Sequence, residues 1–448
     1  MRNLMATLAA SILLCASGQA QAAPMLTVSS IEELQGLAPG VAPAVTVISW
    51  HAGINKGGGI FGWDPNANAA PDGCTIFAAK GGSGRWVRQL SGPLDVTMCG
   101  AWWDNIHDEA PVLRHAFQVA AAQRRTASLP GGIGRVCSSV VTASGLIVRG
   151  QGMGTAGAIA ASPTVVNGTC IKSGWVFDFV TRNSSVATEA PKYYDMSINM
   201  GAGAGPGGCI RWNSVDGGFT DSNASQSYMM HPHAERIYCE MNNRVDNQQI
   251  GFQCSKCFDG DWSQNEVMFG KTSMNLVGSD VMCIGCGGPN RVAGATDSLI
   301  RMTAYGTFGN MDRVVANEVL GPADFGQRYD SFIYDNTRSS TVASNHIEGA
   351  IKGGLSAIHV VQGFSHAITD NDIDVVTVGI TTVPNWLVAD GPFVNLRVFN
   401  NGCAGCLLNP ARFNATAFSP NFNLGGVHQK ITHGGNSNDG DKGFPPSP

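Results

Sequence analysis

Charge is scarce in this chain. Asp, Glu, Lys and Arg make up 14% of its 448 residues, 28 of them basic and 33 acidic. A net charge of −5 leaves no basic footprint, so nucleic acid is not an expected partner. Long apolar runs are missing as well. No segment carries the 18 or so consecutive apolar residues of a membrane-spanning helix, so no integral membrane segment is expected. Helix signals are rare too. The one convincing helix covers residues 109–125. Asp108 can cap it, Pro111 suits its first turn, and Leu113, Phe117 and Ala120 recur at three- and four-residue spacing.

Turn chemistry and cysteine are abundant instead. Fifty-seven glycines beside so little charge suit a turn-rich β protein and argue against a helical bundle. The chain opens like a secretory signal, with Arg2, an apolar run from Leu4 to Ala16, and a small-x-small site at Ala20-Gln21-Ala22. Cleavage near Ala22 or Ala23 implies an exported, periplasmic or extracellular protein. Leu14 before Cys15 argues against a lipoprotein. Twelve of the 13 cysteines would remain, and disulfides are the default in such a compartment. Cys74 and Cys99 can staple the N-terminal region. Cys254-x-x-Cys257 and Cys283-x-x-Cys286 lie 29 residues apart. They are expected on adjacent coils as disulfides or stacked pairs, with a four-cysteine zinc site as the alternative.

A repeat organises the second half. Asn265, Asn290, Asn317, Asn345, Asn371 and Asn400 are spaced 25, 27, 28, 26 and 29 apart. Val267, Val292, Val319, Ile347 and Ile373 follow the first five at two positions. A fixed period of this length marks a solenoid. Alternate residues of a strand face opposite ways. With Asn and Val/Ile inward, Glu266, Arg291, Glu318, His346 and Asp372 form an outward column.

Residues 24–100 read as a small β module, with Val45-Thr46-Val47-Ile48 as a strand and the glycine-rich stretches at 57–64 and 81–88 as turns flanked by aromatics. Short β segments fill 101–405 after the helix, and 406–448 read as a C-terminal cap and a polar, disordered tail.

Gly100-Ala101-Trp102-Trp103-Asp104, then Asp108-Glu109-Ala110-Pro111, the Ala-rich helix, Leu129-Pro130-Gly131-Gly132 and Gly150-Gln151-Gly152-Met153-Gly154-Thr155 together resemble the opening of the pectate lyase superfamily. Residues 57–88 are similar to modules that precede such folds in phage tailspike-like and secreted bacterial proteins. The resemblance implies an all-β, right-handed parallel β-helix of about ten coils, closed by a capping helix and preceded by the small module. It also allows a homotrimer. The polygalacturonase catalytic set and the pectate lyase calcium carboxylates are absent from the sequence, so the resemblance carries fold and leaves the site to the residues.

Two constellations offer chemistry. Glu266 and Glu318 lie two rungs apart, roughly 10 Å at Cα by strand spacing. Side-chain reach brings them to about the 6.5–9.5 Å of an inverting acid/base pair. Arg291 between them would clamp a sugar carboxylate, and His346 and Asp372 would extend a saccharide groove. Such a column also occurs as a solvated salt-bridge ladder. The second constellation is Asp259-Gly260-Asp261-Trp262, two carboxylates beside a sugar-stacking ring, which reads equally well as a turn. His231-Pro232-His233 is similar to the acidic "D-P-H-D" motif of β-helical alginate epimerases but lacks its acidic residues. The expectation is an exported enzyme that cleaves an acidic polysaccharide, with hydrolysis slightly ahead of lytic elimination and a non-catalytic carbohydrate-binding protein as the alternative. No organic cofactor is expected, and calcium is left open.

Overall fold

The computed structural model describes residues 25–154, 163–180, 187–201, 205–213, 228–241, 247–304, 309–321, 331–351, 356–377, 385–391, 393–402, 412–413 and 430–434. The expected signal sequence and most of 406–448, including the polar tail, lie outside these residues. Among the described residues no helix is long and apolar enough to cross a membrane.

The N-terminal module is a five-stranded sheet ordered Leu26–Val28, Ala44–Ser49, Gly57–Asp64, Arg85–Arg88, Ile76–Ala78. In Ala44–Ser49, Val45 and Val47 point inward and pack with Phe61, Phe77 and Trp86. A short helix, Ile31–Gly36, was not expected from the sequence. Its signal is local: the Ser30 hydroxyl accepts from the Glu33 amide at 3.2 Å. The stretches expected as turns also differ. Gly57–Asp64 is a strand, and a second strand, Arg85–Arg88, ends the other stretch. Glycine sits in the first because a Cβ at Gly57 would strike the Thr97 carbonyl, and one at Gly58 the carbonyls of Val47 and Ile48. Cys74 and Cys99 are bonded, as the sequence suggested.

The capping helix runs Ala110–Ala122 and buries Leu113, Ala116, Phe117 and Ala120. Glu109 holds the N-cap position, and its buried carboxylate accepts from the amides of Trp102 and Trp103 at 3.2 and 2.6 Å. Asp108 accepts from Ala110 and Cys137 amides, tying the helix start to the first coil.

Beyond it the chain is a right-handed parallel β-helix. One sheet stacks ten parallel strands, and a second stacks the paired strands of each coil's other face. Asp261–Ser263 and Glu266–Met268 both pair with His233–Glu240, so one earlier strand continues as two strands across a corner. In five coils the corner residue has positive φ, at 54–57°: Gln264, Ala316, Ser344, Asp370 and Asn400, like Arg236 (54°) one coil before Gln264. The ladder asparagine follows it directly. This corrects one expectation: Asn400 is the exposed corner residue, and Asn401, 3% exposed, carries the ladder.

From Asn290 onward each ladder Oδ1 accepts from the amide and the carboxamide of the asparagine one coil earlier, at 3.0 Å for both Asn265–Asn290 contacts, while the Asn265 Oδ1 accepts from the Ile237 amide. Each Nδ2 also reaches a backbone carbonyl, such as Trp262 for Asn290. Val267, Val292, Val319, Ile347 and Ile373 are fully buried beside it. Each contributes roughly 1.5–3 kcal/mol by burial.

The two Cys-x-x-Cys pairs do not stack on one another. Cys254 neighbours Leu276 in the ten-stranded sheet, whereas Cys283 neighbours Asp261 in the other. Each pair closes on itself, so the four cysteines form two disulfides.

Candidate functional site

The outward column is assembled as the spacing predicted. Glu266, Arg291, Glu318, His346 and Asp372 are successive partners in register. Arg291 lies 3.1 Å from Glu266 and 3.8 Å from Glu318. His346 lies 3.1 Å from Asp372 and 3.3 Å from Glu348. Burial alone would lower the His346 pKa, but these carboxylates outweigh it and raise it. Glu266, Arg291 and Glu318 border a cavity of about 360 Å³ with Met153, Arg236 and Gln264.

A second cavity of about 390 Å³ opens on the other side of the corner. It gathers His231, His233, Asp259 and Asp261, which the sequence presented as two separate short motifs. Parallel pairing explains the meeting: His233 neighbours Asp261 one coil on, Asp261 neighbours Cys283, and Cys283 neighbours Arg313. Lys192 and Tyr194 complete the wall from the coil before. Glu189 binds Lys192 at 3.0 Å and His231 at 2.9 Å, and the opposite nitrogen of His231 is 3.6 Å from Asp259.

His233 is the distinctive group. Burial lowers its pKa, and the cations Lys192 and Arg236 add to that against the opposing charge of Asp261. Its Nε2 is 3.2 Å from Glu235, a carboxylate already held by Arg236. The imidazole is therefore neutral at neutral pH, with Nδ1 as its acceptor nitrogen when Nε2 donates to Glu235. The Tyr194 ring lies 5.0 Å from the His233 ring. Asp261 holds the Ser263 hydroxyl through Oδ2. Its Oδ1 is buried without a hydrogen-bond partner. An orphaned buried carboxylate oxygen is costly and calls for an explanation at the site. Arg313 is exposed and forms no side-chain ion pair with a described residue.

One expected site residue is displaced. Trp262 is fully buried and stacks on Trp212 with centroids 5.5 Å apart, so it is core and presents no face to a sugar. Lys192, Tyr194 and Arg313 went unnoticed in the sequence. The repeat offered a signal for the last: Asp261 and Arg313 each stand four residues before a ladder asparagine. Among the described residues no group of three or more His, Cys, Asp or Glu is placed to hold a metal ion.

Residues 27–91 match the model of the phage tail protein small four-stranded beta-sheet domain. The enzymatically active domain of tailspike protein 2 from bacteriophage CBA120 superposes with a TM-score of 0.62 at 11% identity, over 94% of this chain and 63% of that one. The fold is a tailspike-like parallel β-helix. Tailspike protein 4 of the same phage gives 0.57 at 14% identity, over 92% of this chain and 53% of that one. Tailspike gp49 of Acinetobacter baumannii bacteriophage Fri1, a capsular polysaccharide depolymerase, gives 0.55 at 13% identity, over 94% and 76%. The chain spans 57% of the length of full-length tailspike protein 2. At these identities the likeness fixes the tailspike-like fold and leaves the chemistry to the site.

Proposed function

We propose that this chain is an exported carbohydrate-active enzyme that cleaves an acidic polysaccharide by β-elimination, with the cavity around His233 as its reaction centre. The observation that carries the reading is a histidine kept neutral by burial beside the orphaned oxygen of Asp261, in a cavity that also holds a phenol and a cation without an ion pair among the described residues. The enzymatic role of gp49, which shares the fold, supports it.

The chemistry follows from the groups present. Arg313 and Lys192 offset the charge of a uronate carboxylate, which acidifies the C5 proton. Nδ1 of His233 takes that proton. The electron pair forms the C4–C5 double bond and the bond from C4 to the bridging oxygen breaks. Tyr194 protonates the departing oxygen. Asp261 stabilises the imidazolium that results, since its charge favours the protonated ring. Asp259 holds His231 in place at the rim.

Hydrolysis by Glu266 and Glu318 is the less favoured chemistry. Arg291 lies between them, 3.1 Å from Glu266 and 3.8 Å from Glu318, where an inverting pair needs room for its attacking water. In this reading Glu266, Arg291 and Glu318 bind substrate, and His346 and Asp372 extend that surface.

The test is a set of pectic, alginate-like and bacterial exopolysaccharides treated with purified protein. New reducing ends together with the ultraviolet absorbance of an unsaturated uronate are expected, and His233→Ala should lower the rate at least about 10²-fold. New ends without that absorbance would reassign the reaction to hydrolysis. Binding without new ends would leave a carbohydrate-binding protein and end the enzymatic reading.

A further inference from the structure

Ten described cysteines form five disulfides, two of them with Cys-x-x-Cys spacing. These two bridges have the same loop length and opposite surroundings. Cys254 and Cys257 are 0% and 1% exposed. Cys283 is buried, but Cys286 is exposed, and both line the His233 cavity. Among the described cysteines, Cys286 is the exposed one.

Its loop is built of glycine. Gly285 and Gly288 take φ of 102° and 140°, and the Gly288 amide donates to the Gly285 carbonyl at 3.1 Å. The loop is moored by the Gly285 amide to Trp262 and by Gln264 to the Gly287 carbonyl, at 2.8 and 3.0 Å. Gly287 lies so near Asp261 and Ser263 that a Cβ there would meet their side-chain oxygens at 2.7 and 2.6 Å. Arg313 is the register neighbour of Cys283, and Lys192 lines the same cavity. Cations beside a sulfur favour its thiolate and so make it a better leaving group.

We propose that Cys283–Cys286 is a thiol–disulfide exchange site for low-molecular-weight thiols, whose opening frees the glycine loop that walls the cavity at Asp261. An external thiolate attacks the exposed Sγ of Cys286. The Cys283–Cys286 bond breaks as the mixed disulfide forms, and Cys283 leaves as a thiolate beside Arg313. A second external thiolate then attacks the external sulfur, releasing the reductant as its disulfide and Cys286 as a thiolate. Two thiols are oxidised, one protein disulfide is reduced, and the two protons given up by the thiols balance the two protein thiolates. The exposure of Cys286 and the placement of its loop are the same whether or not the cavity acts on a sugar.

The test treats the intact protein with graded dithiothreitol, alkylates, and maps the modified peptides by mass. Cys283 and Cys286 should be labelled at a reductant concentration at least about tenfold below that for Cys254 and Cys257. The strand circular dichroism should be unchanged at that point. A C283S/C286S double variant should lose the low-concentration labelling. Labelling of both pairs at one concentration, or of Cys283 and Cys286 only once the strand signal is lost, would overturn the proposal. Because labelling is read without substrate, a protein inactive on every polysaccharide could still pass or fail it.

Discussion

Asn317 ties three coils together through one buried carboxamide. Its Oδ1 accepts from the Asn290 amide and carboxamide at 3.2 and 2.8 Å, and its Nδ2 donates to the Ile284 carbonyl at 2.9 Å and to Asn345 at 3.0 Å. Asn317→Ala orphans buried donors on one side and acceptors on the other, and should cost about 3 kcal/mol. Asn400 is exposed at φ 54°, so Asn400→Gly keeps the corner and should change stability by less than about 0.5 kcal/mol. Denaturation midpoints of the two variants decide whether the ladder runs through Asn401, since a large loss at Asn400 would contradict it. His233 makes a prediction of another kind. Its neutral form is the active one, and burial holds its pKa below the ordinary value of about 6.5. Activity should therefore persist below that pH and fail as the pH drops through the depressed pKa. The charge of Asp261 pushes that pKa upward, so Asp261→Asn should move the acid limb to still lower pH while slowing turnover. A pH–rate profile whose limb stays put or climbs would uncouple the two residues.

The strand Gly57–Asp64 shows how an element can hide in its composition. At Gly58 a methyl group would meet backbone carbonyls, which cannot rotate away, so Gly58→Ala should destabilise the module by about 1–3 kcal/mol. At Gly62 the nearest atom to an added Cβ is the Gln89 amide nitrogen at 3.5 Å, so Gly62→Ala should cost under about 1 kcal/mol. Tryptophan fluorescence from Trp63 and Trp86 during urea unfolding would separate the two variants. Glycine reads as a turn because its usual reason is positive φ. Here part of the reason is a close approach between chain segments, which only the assembled sheet reveals. The repeat was legible because successive coils place the same buried carboxamide at one corner, preceded by a positive-φ residue everywhere but at Pro289-Asn290. Asn400-Asn401 defeated the ruler by one residue, since asparagine suits both positions. Trp262 was misplaced although its own strand held the answer. It alternates with Asp261 and Ser263, and with Asp261 on the cavity side its ring has to enter the core. The His233 cavity stayed illegible for a different reason. Its residues come from five coils, and Lys192, Tyr194 and Arg313 carry no motif of their own.

At the scale of the molecule, the two cavities lie on either side of the same corner. Asp261 and Glu266 are five residues apart, no more than about 17 Å along an extended chain. A polysaccharide long enough to reach both would be processed at His233 and held at Arg291. Interactions remote from the reacting bond that are equal in ground and transition states change KM and leave kcat alone. Arg291→Ala should therefore raise KM for the long substrate about tenfold, about 1.4 kcal/mol of binding, with kcat within about twofold. On oligosaccharides too short to span both cavities the variant and the parent should have the same KM. That length dependence separates a binding role from a catalytic one, which a loss of activity alone would not do. If Arg291→Ala instead lowers kcat by about 10²-fold or more on short and long substrates alike, then Glu266, Arg291 and Glu318 stabilise the transition state themselves. The reaction centre would then move across the corner, and the neutral histidine would become the binding side.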